Sequence, residues 1–219
     1  VDLARSFGLG PGVKVGGETI LGAPAYALVG AANENDVLVV GATCHPGRLT
    51  DMLGSVATVV THRAKCPVVV VHGVPRSDNE IKRIVVGVDG SPGSDQATEW
   101  AIEQAMRCGA ELVLVHGWVY PYVGARTGVS EPRDDMRLDA MRTLEIAMDN
   151  VVDVAPGLKC RSVISEESAA KAIIDAAVDG DLVVVGSRGR GGFGALLLGS
   201  VSRTVVQHSP CPVAVIRTH

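Results

Sequence analysis

The chain repeats itself at an offset of 145 residues. Segment 36–72 aligns without a gap on segment 181–217, and fourteen of the 37 positions are identical. The same offset places residues 11–14 on residues 156–159. Because a repeated sequence forms a repeated structural unit, these alignments predict two copies of one architecture in the chain.

The second copy carries the pattern of a complete α/β unit. Runs of apolar, β-branched residues predict five strands, over 84–88, 111–116, 159–165, 182–185 and 212–217. Apolar residues at helical spacing predict helices over 94–108, 135–154, 168–178 and 200–208, and glycines and prolines predict a long loop over 118–134. Strands that alternate with helices indicate a parallel sheet covered on both faces. The predicted fold class is therefore α/β, with two tandem open parallel-sheet units.

The first copy is incomplete at its amino end. The image of residues 82–97, which hold the first strand of the second copy, falls before Val1, so the first copy lacks its first two strands. We predict a partial first unit over 1–75, a linker over 76–81 and a complete second unit over 82–219. Because open edges of apolar strands invite aggregation, we expect the natural chain to continue before Val1 by roughly 60 residues or more.

Charge and cysteine usage argue against several classes of protein. The formal net charge of −4 argues against a nucleic-acid partner. An apolar run of about 18 residues, which a membrane span needs, does not occur. The five cysteines have neither CxxC nor zinc-site spacing, which is typical of reduced thiols. These features indicate a cytoplasmic protein without membrane or nucleic-acid partners.

A glycine-rich loop follows the fourth predicted strand of the second copy. It reads GSRGRGGFGALLLGSV, with six glycines between Gly186 and Gly199, and leads into the last helix at Ser200. Ligands of open parallel sheets bind beyond the carboxyl ends of strands. Glycines allow the backbone to approach a ligand, and a helix N-terminus attracts anions. The loop is therefore interpreted as a phosphate site, and the alternative is a mobile connector with a helix cap at Ser200.

Two common nucleotide motifs do not account for this loop. Residues 189–194 match GxGxxG, but no Asp or Glu follows Asp181, so the acid that binds the ribose of NAD is missing. The loop also lacks the lysine of a Walker A motif. A carboxylate does follow the first strand, at Asp89. It could accept hydrogen bonds from ribose or adenine, or it could cap the helix that begins near Ser94.

These motifs together resemble the universal stress protein family. The resemblance is carried by Gly186-x2-Gly189-x9-Gly199-Ser200, by VGVDGS and LVLVH on the first two strands, and by CPVAVIR at the end. It implies the ATP-binding branch of the family in a tandem form, with strand order 3-2-1-4-5 in the complete copy. It also implies that the last strands pair antiparallel between domains, within one chain or in a homodimer.

The resemblance further implies which residues bind ATP. They are Val88, Asp89, Gly117, Gly186, Gly189, Gly199, Ser200, Val201 and Ser202. Two loop residues, Arg188 and Arg190, could contact phosphate or remain solvated. The loop has no carboxylate pair that would form a dedicated metal site, so any Mg²⁺ would be held mainly by ATP and water.

The first copy has a degenerate version of this site. It keeps Gly41, Gly54 and Ser55, but Cys44 replaces the second glycine and Ala57 stands at the place of Ser202. It also has no image of the acid on the first strand. We therefore predict that only the second copy forms a complete site.

The function implied by the resemblance is that of a nucleotide-dependent regulator in the stress response. Hydrolysis needs a base or a positioned water and a cation clamp on the γ-phosphate. The ligand motifs of the second copy contain one acid, Asp89. We therefore predict ATP binding with little or no turnover. The alternatives are a slow ATPase and a tandem scaffold that binds no nucleotide.

Overall fold

The structure, a computed structural model, describes residues 13–42, 53–72, 80–120, 133–191 and 198–217. The first copy contributes α1 (Pro24–Ala31), β1 (Leu38–Gly41), α2 (Ser55–Arg63) and β2 (Val68–Val71). The second copy contributes β3 (Arg83–Gly87), α3 (Pro92–Cys108), β4 (Glu111–Gly117), α4 (Arg133–Val154), β5 (Cys160–Ser165), α5 (Ala169–Ala176), β6 (Leu182–Gly186), α6 (Ser200–His208) and β7 (Val213–Ile216). A 3₁₀ turn over Ala177–Asp179 continues α5.

The seven described strands form one sheet in the order β1-β2-β7-β6-β3-β4-β5. Within the second copy all neighbouring strands are parallel. Counted along that copy, β3 to β7 are strands 1 to 5, so their order in the sheet is 3-2-1-4-5 and the prediction is confirmed. The two copies join through their last strands, which run antiparallel with Val68 opposite Val215 and Val70 opposite Val213. The antiparallel pairing of the last strands, which was predicted either within one chain or in a homodimer, is therefore present within the chain.

The offset of 145 residues also holds in the secondary structure. It carries α1 onto α5, α2 onto α6 and β2 onto β7, residue for residue. Strand β5 breaks this correspondence, because its image, residues 15–20, is in no strand. In the second copy β5 pairs with β4 alone, and the image of β4 falls before Val1. Among the described residues, no strand is available against which residues 15–20 would pair.

Two apolar layers, one on each face of the sheet, form the core. In β3, Ile84 and Val86 pack in the layer beneath α3 and α4, whereas Val85 packs in the layer beneath α5 and α6. All three side chains are fully buried, as expected for a parallel strand covered on both faces. In the first copy one face is open: Val39 is 62% exposed, whereas its image Val184 is fully buried.

Two helices of the second copy begin two residues earlier than predicted. Helix α3 begins at Pro92 rather than Ser94, because the Ser91 side chain accepts a hydrogen bond from the Ser94 amide and caps the helix. Helix α4 begins at Arg133, and residues 121–132 of the predicted loop lie outside the described residues. None of the described helices is long and apolar enough to cross a bilayer.

Candidate functional site

A cavity of about 480 Å³ lies at the carboxyl ends of β3 and β6. Both strands end in glycine, at Gly87 and Gly186, and the order of the connections reverses between them. This is the position at which open α/β sheets bind ligands. The cavity is lined by Arg188, Arg190 and every residue of the predicted ATP site except Gly117.

One end of the cavity is apolar. Its walls are formed by Val115 of β4, by Val185 of β6, and by Ala169 and Ile173 of α5. Both backbone polar groups of Val88 are already used, because its amide donates to the Val115 carbonyl and its carbonyl accepts a hydrogen bond from His116 Nδ1 at 2.6 Å. A flat apolar group buried here would therefore leave no backbone group of Val88 unpaired.

The carboxylate of Asp89 connects three segments around the cavity. Its Oδ1 accepts hydrogen bonds from the Ser91 amide at 3.0 Å and the Ser91 hydroxyl at 2.6 Å. Its Oδ2 accepts one from the Arg190 amide at 3.1 Å, in the glycine loop. Burial alone would raise the pKa of Asp89, but the hydrogen bonds from Ser91, Arg190 and Ser94 outweigh it and hold the pKa below the ordinary value. Asp89 is therefore ionised near neutral pH and fastens the loop to the end of β3.

Two glycines of the loop are required by the protein itself. A Cβ at Gly189 would lie 2.1 Å from Asp89 Oδ2, in the space that the carboxylate occupies. A Cβ at Gly186 would lie 2.5 Å from the carbonyl oxygen of Gly93 in α3. At Gly199 the nearest atoms would be 3.5 Å away, which is ordinary contact. Close packing therefore explains the first two glycines but leaves Gly199 without a packing reason.

The N-terminus of α6 faces the same cavity. Gly199 is its N-cap, and the amides of Ser200, Val201 and Ser202 lie in the first turn, where no helical carbonyl is available to them. The Ser200 side chain is exposed. The Ser202 hydroxyl instead donates to the Gly186 carbonyl at 2.7 Å. The first turn thus offers three amides and the Ser200 hydroxyl to an anion, while the hydroxyl proton of Ser202 serves to tie α6 to β6.

Gly117 does not line the cavity. A Cβ there would lie 2.7 Å from the Cα of Ala169, so the glycine lets β4 pack against the start of α5. Its part in ATP binding stays a prediction. Sequence reasoning had overlooked Ala169, Ile173 and Ser91. The cap of Ser91 could have been found from the Ser-Pro pair at 91–92, which is typical of a helix start.

The first copy repeats part of the phosphate end. Gly41 ends β1, Gly54 is the N-cap of α2, and Ser55 is its first residue. Ala57 is buried and supplies no hydroxyl. Strand β1 pairs with β2 alone and is the edge of the described sheet, so no strand stands where β3 stands in the second copy. Cys44 lies outside the described residues. In the part of the chain that the structure describes, no group of three His, Cys, Asp or Glu side chains could hold a metal ion.

This fold, with its cavity at the reversal of the strand order, defines an open α/β protein with a mostly parallel sheet. The chain matches the universal stress protein family over residues 3–72 and 80–217, and it belongs to that family. The two matched segments agree with two tandem units.

Individual relatives are similar along most of the chain. A universal stress protein of Mycobacterium tuberculosis is 34% identical over 224 residues, which cover 99% of this chain and 74% of the relative. A solved universal stress protein from Archaeoglobus fulgidus has a TM-score of 0.62 at 25% identity, covering 89% of this chain and 65% of the other. The protein UspA from Lactobacillus plantarum has a TM-score of 0.55 at 26% identity, covering 63% and 99%. The chain thus spans less than two thirds of the Archaeoglobus protein.

Proposed function

We propose that the second copy binds one ATP in the cavity between β3 and β6, and that the protein acts as a nucleotide-dependent regulator in the stress response. The observation that carries this proposal is the arrangement of the cavity. Its apolar end, at Val115, Ile173 and Val185, fits a base, and its other end offers the first-turn amides of α6 to phosphates. A volume of about 480 Å³ lies in the range of small-molecule sites.

We further propose that turnover is slow or absent. Among the described residues that line the cavity, Asp89 is the single carboxylate. Its hydrogen bonds hold its pKa below the ordinary value, which makes it a weak base for the activation of water. His116 does not line the cavity, and its Nδ1 is bonded to the Val88 carbonyl. Mg²⁺, when present, would be held by the phosphates and water, because the described residues form no carboxylate cluster.

We propose that the two copies pair with each other within one chain rather than between chains. The protein is proposed to act in the cytoplasm. Strand β7 has β6 on one side and β2 on the other, so both of its edges are hydrogen-bonded. A homodimer through the same strand would require that the β2–β7 pair first separate. The intrachain contact is therefore favoured at this edge.

The nucleotide content of freshly purified protein tests the proposal. The protein is denatured and the supernatant is resolved by ion-exchange chromatography, before and after incubation with Mg-ATP. We expect about one ATP per chain, and a large reduction in Gly199→Ala, whose Cβ would come no closer than 3.5 Å to its nearest non-adjacent neighbours among the described residues and so should leave the fold intact. The image variant Gly54→Ala is the control and should retain the nucleotide.

Each other result selects an alternative. Bound ADP in place of ATP, with phosphate released over time, would favour the slow ATPase. No nucleotide even after incubation with Mg-ATP would refute the site and leave the tandem scaffold.

A further inference from the structure

The apolar end of the cavity has one wall that is formed by a helix. Ala169 and Ile173 of α5 both line the cavity. They are four residues apart and therefore lie on the same face of the helix. Ile173 is 3% exposed and belongs to the apolar layer that also contains Val115 and Val185, the two strand residues of this end. The distance of α5 from the strand ends therefore sets the width of the apolar end.

Two glycines allow α5 to lie close to the strand ends. Gly87 ends β3, and Gly117 ends the neighbouring strand β4. A Cβ at Gly87 would lie 2.5 Å from Cδ1 of Ile173. A Cβ at Gly117 would lie 2.7 Å from Cα of Ala169. Neither glycine has a left-handed φ, so the space above each strand end explains them better than backbone conformation does. Each glycine is thus matched to one residue of the wall.

Helix α5 is also held in this position from its other sides. Its N-cap, Ser168, accepts a hydrogen bond from the Lys171 amide at 3.4 Å. The Ser168 carbonyl accepts a second one from the Ala172 amide at 2.9 Å. Ala172 and Ile173 are both buried in the apolar layer on this face of the sheet. Because closely packed side chains resist displacement, the wall cannot move back easily to admit a larger ligand.

We propose that Ile173 determines the size of base that the site accepts, and that Gly87 and Gly117 set the position of the wall to which it belongs. This proposal deepens the proposed function and rests on it, because the base is that of the bound nucleotide. The side chain of Ile173 closes the apolar end around adenine and excludes a base enlarged by a further ring. Gly117 is then a positioning residue that acts on the nucleotide through α5, without lining the cavity.

Binding of ATP and of etheno-ATP to the full chain tests the proposal. In etheno-ATP the adenine carries one additional fused ring, and the enlarged base is flat and fluorescent. Fluorescence titration with etheno-ATP, followed by displacement with ATP, gives the ratio of the two dissociation constants. Partial misfolding weakens both ligands and leaves this ratio unchanged, so the ratio reports the size of the apolar end. We expect the wild type to bind ATP about tenfold more tightly than etheno-ATP.

Shortening Ile173 should relax this preference. Ile173→Ala should lower the ratio by about tenfold, because the carbons removed from the apolar end make room for the added ring. Ile173→Val removes Cδ1 alone and should have an intermediate effect, which serves as the test if the alanine variant does not fold. The matched control is Ile174→Val, because Ile174 packs against the same apolar layer but does not line the cavity. Its ratio should equal that of the wild type.

Enlarging Gly87 should make the apolar end smaller. The methyl group of Gly87→Ala would take the space of Ile173 Cδ1 and turn that side chain toward the cavity. We expect the affinity for ATP to fall by about tenfold. Adding Ile173→Val to Gly87→Ala removes the displaced carbon and should restore the affinity to within about threefold of the wild type.

The outcomes distinguish this proposal from the proposed function. Wild-type protein that binds ATP and etheno-ATP equally well overturns the role of Ile173 and leaves the proposed function standing. A wild-type ratio in Ile173→Val and in a folded Ile173→Ala, or an equal change of the ratio in Ile174→Val, also overturns it. So does a Gly87→Ala variant with wild-type affinity, or one that Ile173→Val does not restore. Wild-type protein that binds neither ligand overturns both proposals together.

Discussion

A negative charge at the start of α6 should strengthen the ligand-free protein and prevent nucleotide binding. Ser200 is the first residue of this helix and its side chain is exposed, so Ser200→Glu introduces a carboxylate without displacing a buried group. Acidic residues in the first turn of a helix stabilise it by about 0.3 to 1 kcal/mol. The same carboxylate occupies the position where we place the phosphates of ATP.

The two effects can be estimated separately. Unit charges about 5 Å apart repel by about 1 to 3 kcal/mol for an effective dielectric constant between about 80 and 20, which corresponds to a roughly 5- to 150-fold loss of affinity. The melting temperature of the ligand-free variant should rise by roughly 1 to 3 °C. Isothermal titration with Mg-ATP and differential scanning calorimetry measure the two quantities. Weaker binding in a more stable protein cannot be attributed to misfolding.

The first copy supplies a matched control for this experiment. Ser55→Glu makes the same change at the first residue of α2, the image of α6. It should raise stability to a similar extent and leave ATP binding unchanged. Wild-type affinity in Ser200→Glu would refute the placement of phosphate at the start of α6. An equal loss in Ser55→Glu would refute the assignment of the site to the second copy.

Three further predictions concern the loop and the thiols. Gly189→Ala should lower the free energy of unfolding by about 1 to 3 kcal/mol, because its Cβ would overlap the Asp89 carboxylate. Gly199→Ala should change the free energy of unfolding by less than about 0.5 kcal/mol. Chemical denaturation compares the two variants, and equal losses of stability would contradict the packing argument. Asp89→Asn should cost about 1 kcal/mol at neutral pH. Because the pKa of Asp89 is lowered in the folded state, the stability difference between wild type and variant should have its full size above pH 3.8, the ordinary pKa of the group, and should shrink as the pH falls below that value. A stability difference that grows in acid would contradict the stabilising role of the ionised carboxylate. Burial raises the pKa of Cys160 to about 11, so peptide mass spectrometry after alkylation at neutral pH should find the exposed Cys108 modified well before Cys160.

Much of the fold follows from local pattern in the sequence. The buried strands of the second copy are continuous apolar runs, and a run such as 84–88 can be recognised because both of its faces are covered. The strand order and the antiparallel joining of the copies were implied by the family resemblance rather than by the pattern. The start of the helix predicted over 168–178 was also close, because Ser168 accepts a hydrogen bond from the Lys171 amide and caps α5, which begins at Ala169.

The roles of single residues in the site were harder to predict, because they depend on atoms that are distant in sequence. The glycines of the loop were interpreted as close approaches to a ligand, but Gly186 makes room for Gly93, and Gly189 makes room for Asp89. From the sequence alone, Asp89 could either bind a ligand or cap the helix that begins near Ser94. The structure shows that it holds the glycine loop, and that Ser91 caps the helix.

The antiparallel joint between β2 and β7 gives the sheet two opposite polarities. The strands of the second copy end at one rim, where Gly186 opens the glycine loop, and β1 ends with Gly41 at the opposite rim. The cavity of the second copy and the glycine that ends β1 therefore face opposite sides of the sheet. A molecule that contacts the rim with the cavity cannot contact the other rim from the same side.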